Sequence, residues 1–212
     1  MKYKGIIFDL DGVLCSTDRF HFEAWKQTAE EVSAPFDETI NMKLRGVSRM
    51  ESLEIILSGS SKTFTDAEKE RLATEKNDRY RKLLAKMSPA DMPTAVRDAL
   101  TALHNTGLKL AVGSSSKNAA YILERLDANR YFDAVCDGTM IAHSKPDPEV
   151  FTKAAAMVGL APADCLVVED AAAGLEAARA GGMDCAIVGT APMPFEPTYR
   201  MQDVTKLPET IL

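Results

Sequence analysis

A chain of 212 residues, 46% hydrophobic and 26% charged, has the composition of an ordinary globular protein and can bury one good core beside a smaller second unit. Its net charge of −6 contains no long block of one sign, which argues against nucleic acid as a partner. No apolar stretch approaches the roughly 20 residues of a membrane span, and Asp9 and Asp11 interrupt the first apolar run where a signal peptide would continue it, so a cytoplasmic protein without membrane contact is expected.

The first apolar run, Ile6 to Val13, reads as a buried strand that stops at a glycine turn at Gly12. Asp9 and Asp11 leave its end, and on a strand that spacing puts both carboxylates on one face. Taken alone, this is either a site for a metal or phosphate or a solvated turn. A calcium loop is ruled out, because the glycine comes fourth and Phe20 stands where the twelfth-position glutamate belongs. A polar hinge over residues 13–18 leads into a helix with Phe22, Trp25, Ala29 and Val32 on its apolar face, ended by Pro35. A short helix over residues 38–44 follows. Ser48 with Glu51, and Thr65 with Glu68, have capping-box spacing and predict two further helices, the second running towards Met87. No strand is expected from Thr17 to Met87.

Residues 88–93 read as a return linker, after which helices and apolar strands alternate. Strands are expected at residues 108–113, 133–136, 165–168 and 184–188, the last of them final, with helices between. Pro148 starts one helix with Asp147 as its cap, and Gly181-Gly182 stops another. Such alternation predicts an α/β protein whose parallel sheet is covered on both sides and binds ligands beyond the carboxyl ends of its strands. Cys15, Cys136, Cys165 and Cys185 are scattered and read as buried free thiols.

Three strands end in polar residues: Asp9 and Asp11, then Ser114 to Asn118, then Glu169 and Asp170. If these ends share one sheet edge, four carboxylates converge and need a cation. Magnesium suits the oxygen-only set, and Lys145 is a ready counter-charge. The serine run offers hydroxyls and N–H groups at a helix start, which favour phosphate. Each feature alone has a plainer reading, as a helix cap or a surface lysine. One phosphoryl-transfer site accounts for all of them: a carboxylate attacks phosphorus while a neighbouring one moves the proton. Neither G-x-G-x-x-G nor the P-loop pattern is present. His104 and His143 have no supporting pattern.

Asp9-Leu10-Asp11-Gly12-Val13, Ser114, Lys145-Pro146 and Glu169-Asp170 resemble the four motifs of the haloacid dehalogenase superfamily of phosphatases and phosphomutases. The helical stretch is similar to that family's small helical cap. Residues 20–26, 45–49, 76–78, 88–91 and 115–118 are similar to segments of its sugar phosphomutases, and together these matches span most of the chain. The resemblance implies a Rossmann-like parallel-sheet core over residues 1–15 and 91–212, with an all-helical cap over residues 16–90. It implies an isomerase that interconverts β-D-glucose 1-phosphate and glucose 6-phosphate, with β-glucose 1,6-bisphosphate as activating intermediate. A monomer is expected, although the sequence itself does not give oligomeric state.

By position, Asp9 is then the nucleophile and Asp11 the general acid and base. Asp9, the carbonyl of Asp11, Glu169 and Asp170 hold Mg2+. Ser114, Ser115, Ser116, Lys117, Asn118 and Lys145 belong to the phosphate site, and Arg49 takes the second phosphate. His21, Trp25, Gly46, Val47, Ser52, Lys76 and Asn77 surround the sugar, Arg45 adds charge, and Thr17 is a hinge. Arg45 stands where lysine is usual, Ser115 where alanine is, and Ala171 where serine is common; a planar guanidinium in place of an ammonium could alter sugar preference. A sugar-phosphate phosphatase using the same nucleophile is the alternative. A silent binding protein on this fold would require a damaged site, yet all four carboxylates and Lys145 are present.

Overall fold

The computed structural model describes residues 2–44 and 47–212. The chain divides into two compact units, one of Met1–Ser16 with Met87–Leu212 and one of Thr17–Lys86. In chain order the elements are β1 (Gly5–Phe8), α1 (Asp18–Glu31), α2 (Glu38–Met42), α3 (Arg49–Leu57), α4 (Asp66–Leu84) and α5 (Thr94–His104). Then come β2 (Lys109–Gly113), α6 (Ala119–Arg125), β3 (Ala134–Cys136), α7 (Glu149–Met157), β4 (Cys165–Glu169), α8 (Ala172–Ala180), β5 (Asp184–Val188), β6 (Tyr199–Met201) and α9 (Leu207–Ile211). No helix among the described residues is long and apolar enough to cross a membrane.

The larger unit is an α/β fold on a six-stranded sheet in the order β3-β2-β1-β4-β5-β6, parallel at every pairing. The central strand β1 is apolar on both faces because both are covered: Ile6, Ile7 and Phe8 are all fully buried. Each such side chain contributes about 1.5–3 kcal/mol by leaving water, so the three together approach the net stability of a domain and hold β1 in register. On one face Ile7, Ala111, Val167 and Ile187 pack with Val150, Phe151 and Ala154 of α7 and Leu175 and Ala178 of α8. The four cysteines are buried free thiols, as their scatter suggests.

Two expectations are corrected. Residues 184–188 are not the last strand, because Tyr199–Met201 adds a sixth beside it. That strand is three residues long, lies at the edge and buries only Met201, so it carries no apolar run. The first strand also stops at Phe8, short of the turn at Gly12 where it was expected to end. Residues 9–15 fold into a tight turn in which Leu14 N–H bonds to the Leu10 carbonyl and Gly12 N–H to the Cys15 carbonyl. Gly12 has φ of 87°, open to glycine at no steric cost. Asp9 and Asp11 are therefore set by a turn, not by strand alternation.

The unit Thr17–Lys86 contains helices and no strand among its described residues, and it has its own core. Trp25, Ala29 and Val32 meet Leu44, Leu53, Ile56, Leu57, Leu72 and Ala73 there. Phe22, expected on the apolar stripe of α1, is instead half-buried against Phe36, and Phe20 is the buried ring. Both capping boxes are present: Ser48 with Glu51 starts α3, and Thr65 with Glu68 starts α4.

Candidate active site

Parallel pairing puts Phe8 of β1 beside Val112 of β2 and Val168 of β4, so the residues that follow all leave the same sheet edge. The order 3-2-1-4-5-6 places the topological switch point between β1 and β4, where sheets of this kind bind ligands. Asp9 follows β1, its N–H still bonded to the Val168 carbonyl at 2.9 Å, and Glu169 ends β4.

Lys145 joins them. Its Nζ donates to Asp9 Oδ1 at 2.5 Å and to Glu169 Oε1 at 2.6 Å, and it lies 4.5 Å from the centre of the Phe151 ring. Glu169 Oε2 accepts the N–H groups of Asp170 and Ala171 at 2.7 and 2.8 Å. Asp9, Lys145 and Glu169 are only 8%, 4% and 2% exposed, so these are charge-assisted contacts away from water and stronger than surface ones. The backbone N–H of Lys145 reaches Ser115 Oγ at 3.4 Å, tying the lysine's loop to the serine run.

The electrostatics show surplus negative charge. Burial, the nearby Glu169 and Asp11 push Asp9 up to about 7 even though Lys145 pulls the other way. Burial followed by Glu169, Asp9 and Asp11 pushes Asp170 up to about 8. Burial alone would lower Lys145, yet Asp9 and Glu169 override it and hold the ammonium charged above its usual range. One lysine does not balance four carboxylates. The donors are all oxygen, which selects a hard divalent cation. Among the described residues no three acidic, histidine or cysteine side chains form a ready-made metal cage. Mg2+ does not require one, since it is commonly held by one or two carboxylates with waters and substrate phosphate. The residues present therefore fit such an ion.

The serine run forms a compact loop between β2 and α6. Ser114 N–H bonds to the Cys136 carbonyl, Ser116 N–H to Ser114 Oγ and Asn118 N–H to Ser116 Oγ. Ser114 and Asn118 are buried, Ser115 and Ser116 half-buried, and Lys117 exposed. The hydroxyl oxygens thus shape the loop while their protons remain available to an anion.

In the helical unit α1 and α4 bring a second polar group together. Lys76, 2% exposed, donates from Nζ to His21 Nδ1 at 2.9 Å. An ammonium can only donate, so Nδ1 is the bare nitrogen and Nε2 carries the hydrogen. Lys76 Nζ lies 4.4 Å from the Trp25 ring centre and 4.6 Å from that of Tyr80, and its charge is held by those π-faces. Burial first, then Lys76 and Arg49, keep His21 well below its ordinary range, hence neutral. Arg49 donates to Asn77 Oδ1 at 2.8 Å. Thr17 and Ser52 are buried and Val47 half-buried, whereas Arg45 and Gly46 lie outside the described residues. Tyr80, absent from the residues expected at the site, stacks its ring on His21 at 4.0 Å and donates its hydroxyl to Thr17 Oγ1 at 2.9 Å. Its signal was its place four residues after Lys76 on the same helix.

A fold with this strand order, an Asp-x-Asp turn after β1 and a lysine between that turn and β4 defines a class. A protein-family profile for haloacid dehalogenase-like hydrolases matches residues 3–182, and the chain belongs to that family of enzymes. Among its relatives, the beta-phosphoglucomutase of Bacillus subtilis (strain 168) is 45% identical over 188 residues, covering 88% of this chain and 83% of that protein. A phosphorylated carbohydrates phosphatase of Thermotoga maritima is 33% identical over 184 residues, 85% of this chain and 82% of that one. Among solved structures, beta-phosphoglucomutase from Clostridium difficile superposes with a TM-score of 0.90 at 32% identity, covering 97% and 93% of the two chains.

Proposed function

We propose that the protein is a magnesium-dependent β-phosphoglucomutase, interconverting β-D-glucose 1-phosphate and glucose 6-phosphate through β-glucose 1,6-bisphosphate. The observation that carries phosphoryl transfer is the contact of Lys145 Nζ with Asp9 Oδ1, which sets a buried carboxylate against an ammonium at the sheet's switch point. The choice of a mutase is supported by the 45% identity to the Bacillus subtilis enzyme.

In this proposal an Asp9 oxygen attacks phosphorus, the bond from phosphorus to the sugar oxygen breaks, and Asp9 carries the phosphoryl group as an acyl phosphate. Asp11 gives its proton to the departing sugar oxygen. In the return step Asp11 takes the proton from the other sugar hydroxyl, which attacks phosphorus as the bond to Asp9 breaks; such proton transfer is worth about 10²–10⁴-fold. β-Glucose 1-phosphate gains a phosphoryl group at O6, the bisphosphate turns round, and the group at O1 goes to Asp9. Lys145 offsets charge on the transferring group, and Ser114, Ser115, Ser116, Lys117 and Asn118 bind its oxygens. Asp9, the Asp11 carbonyl, Glu169 and Asp170 would hold Mg2+, whose chemistry is to stabilise charge on the phosphoryl oxygens. The helical unit acts as a cap between residues 16 and 90: Arg49 takes the second phosphate, and His21, Trp25, Val47, Ser52, Lys76 and Asn77 take the sugar, with Arg45 and Gly46 beside them and Thr17 as hinge.

The test supplies β-glucose 1-phosphate, Mg2+ and a trace of the 1,6-bisphosphate, and follows glucose 6-phosphate and free phosphate together. Glucose 6-phosphate should form with little phosphate release. Phosphate appearing as fast as glucose 6-phosphate would establish the second possibility, a sugar-phosphate phosphatase, which the relatives at 33% and 31% identity favour.

A further inference from the structure

Gly174 lies in the first turn of α8, where alanine is the better helix former. Its backbone is not left-handed, so conformation does not call for glycine. Space does. A Cβ at this position would stand 2.0 Å from Cδ and Oε1 of Glu169 and 2.4 Å from its Cγ. A long side chain can usually swing aside from such a clash, but this one is tied at both oxygens, Oε1 by Lys145 and Oε2 by two backbone N–H groups. Other tightly packed glycines differ. Gly113 and Gly181 face apolar side chains, Gly138 faces loop backbone, and Gly12, which faces Asp170, has a positive φ that accounts for glycine by itself.

We propose that Gly174 is a positioning residue of the phosphoryl-transfer site: its missing side chain leaves the room in which the Glu169 carboxylate holds Lys145 against Asp9. The inference rests on Asp9 as phosphoryl acceptor. Adding one methyl group displaces Glu169, Lys145 loses one of its two acidic partners, and the ammonium no longer fixes the Asp9 oxygen. The sugar contacts of the helical unit are untouched, so the loss falls on turnover.

The experiment compares Gly174→Ala in the wild-type and Glu169→Ala backgrounds, by crystal structure, thermal melting, and turnover of both β-glucose 1-phosphate and p-nitrophenyl phosphate. In the wild-type background kcat should fall about 10–100-fold, the usual effect of disturbing a group behind an active-site residue, with KM for the sugar nearly unchanged. The crystal structure should show Glu169 moved off Lys145. In the Glu169→Ala background, where the space is empty, the same substitution should change nothing further. If Gly174→Ala alone fails to fold, recovery of folding in the Glu169→Ala background supports the same conclusion. Retained contacts among Glu169, Lys145 and Asp9 in the variant, a loss confined to KM, or an equal loss of kcat or folding in both backgrounds would overturn it. Because p-nitrophenyl phosphate reports phosphoryl transfer without the sugar, a wrong sugar assignment would leave this result interpretable.

Discussion

A lysine ammonium shut away from water is tolerated only where its charge is met, and Lys145 is met by Asp9 and Glu169. The sequence marked all three, but it could not pair Lys145 with Glu169, since 24 residues separate them and a loop and a helix decide the approach. His21 is the complementary case, a side chain kept neutral by its surroundings. Burial, Lys76 and Arg49 depress its proton affinity below the ordinary 6.5. Between that value and its lower folded one, the unfolded chain takes up a proton that the folded chain refuses. Stability from this group is therefore complete above about pH 6.5 and is lost as the pH falls, by up to about 1.4 kcal/mol per pH unit. Asp9 and Asp170 titrate in a nearby range with the opposite sign, so the prediction is made for a difference. Urea unfolding of wild type and His21→Asn between about pH 5 and 8 should show wild type losing ground to the variant on acidification. Asn can still accept from Lys76 and takes up no proton. Parallel pH profiles would mean that His21 is charged in the folded protein.

Among the elements, legibility followed how local the signal was. The boxes at Ser48 and Thr65 were readable because three residues of spacing carry the whole device, in which the N-cap hydroxyl takes the N3 amide and the N3 carboxylate takes the N-cap amide. β2, β4 and β5 were readable because apolar runs bounded by polar residues leave little choice. β6 was not, since Tyr199-Arg200-Met201 becomes a strand only by pairing with β5 at the sheet edge. The end of β1 was misjudged for a related reason: Leu10, Val13 and Leu14 are apolar and buried, but they are buried by a turn. The box at Thr65 allows a test of how far local capping supports α4, the helix that carries Lys76, Asn77 and Tyr80. Thr65→Ala should lower stability by about 0.5–2 kcal/mol, the ordinary value of an N-cap, measured as a shifted urea midpoint with unchanged slope. A loss under about 0.3 kcal/mol would show that core packing rather than the cap holds the start of α4.

For the whole molecule, the alternation of strands and helices gave a parallel sheet, but it could not give the order β3-β2-β1-β4-β5-β6, because several arrangements of right-handed crossovers satisfy the same pattern. That order matters, since it sets Asp9 beside Glu169 at the switch point. The two units also divide the charged groups by kind. The larger one collects carboxylates around a buried lysine, whereas the helical unit sets the buried Lys76 against His21 and the half-buried Arg49 against Asn77. A mutase has to recognise phosphate at both ends of a bisphosphate, and a cation in the helical unit suits the end that is not reacting. Arg49, with Asn77 orienting its guanidinium, is the group to test. A charge-assisted contact to phosphate is worth about 1.5–3 kcal/mol, so Arg49→Ala should raise the bisphosphate concentration needed for half-maximal mutase rate by about 10–100-fold. Hydrolysis of p-nitrophenyl phosphate, which has no second phosphate, should stay within about 2-fold of wild type, because a solvated small ester gains nothing from a second anion site. Equal loss in both assays would place Arg49 in the fold rather than in recognition. An unchanged bisphosphate requirement would move the second phosphate to another cation of the helical unit, with Lys76 the next to substitute.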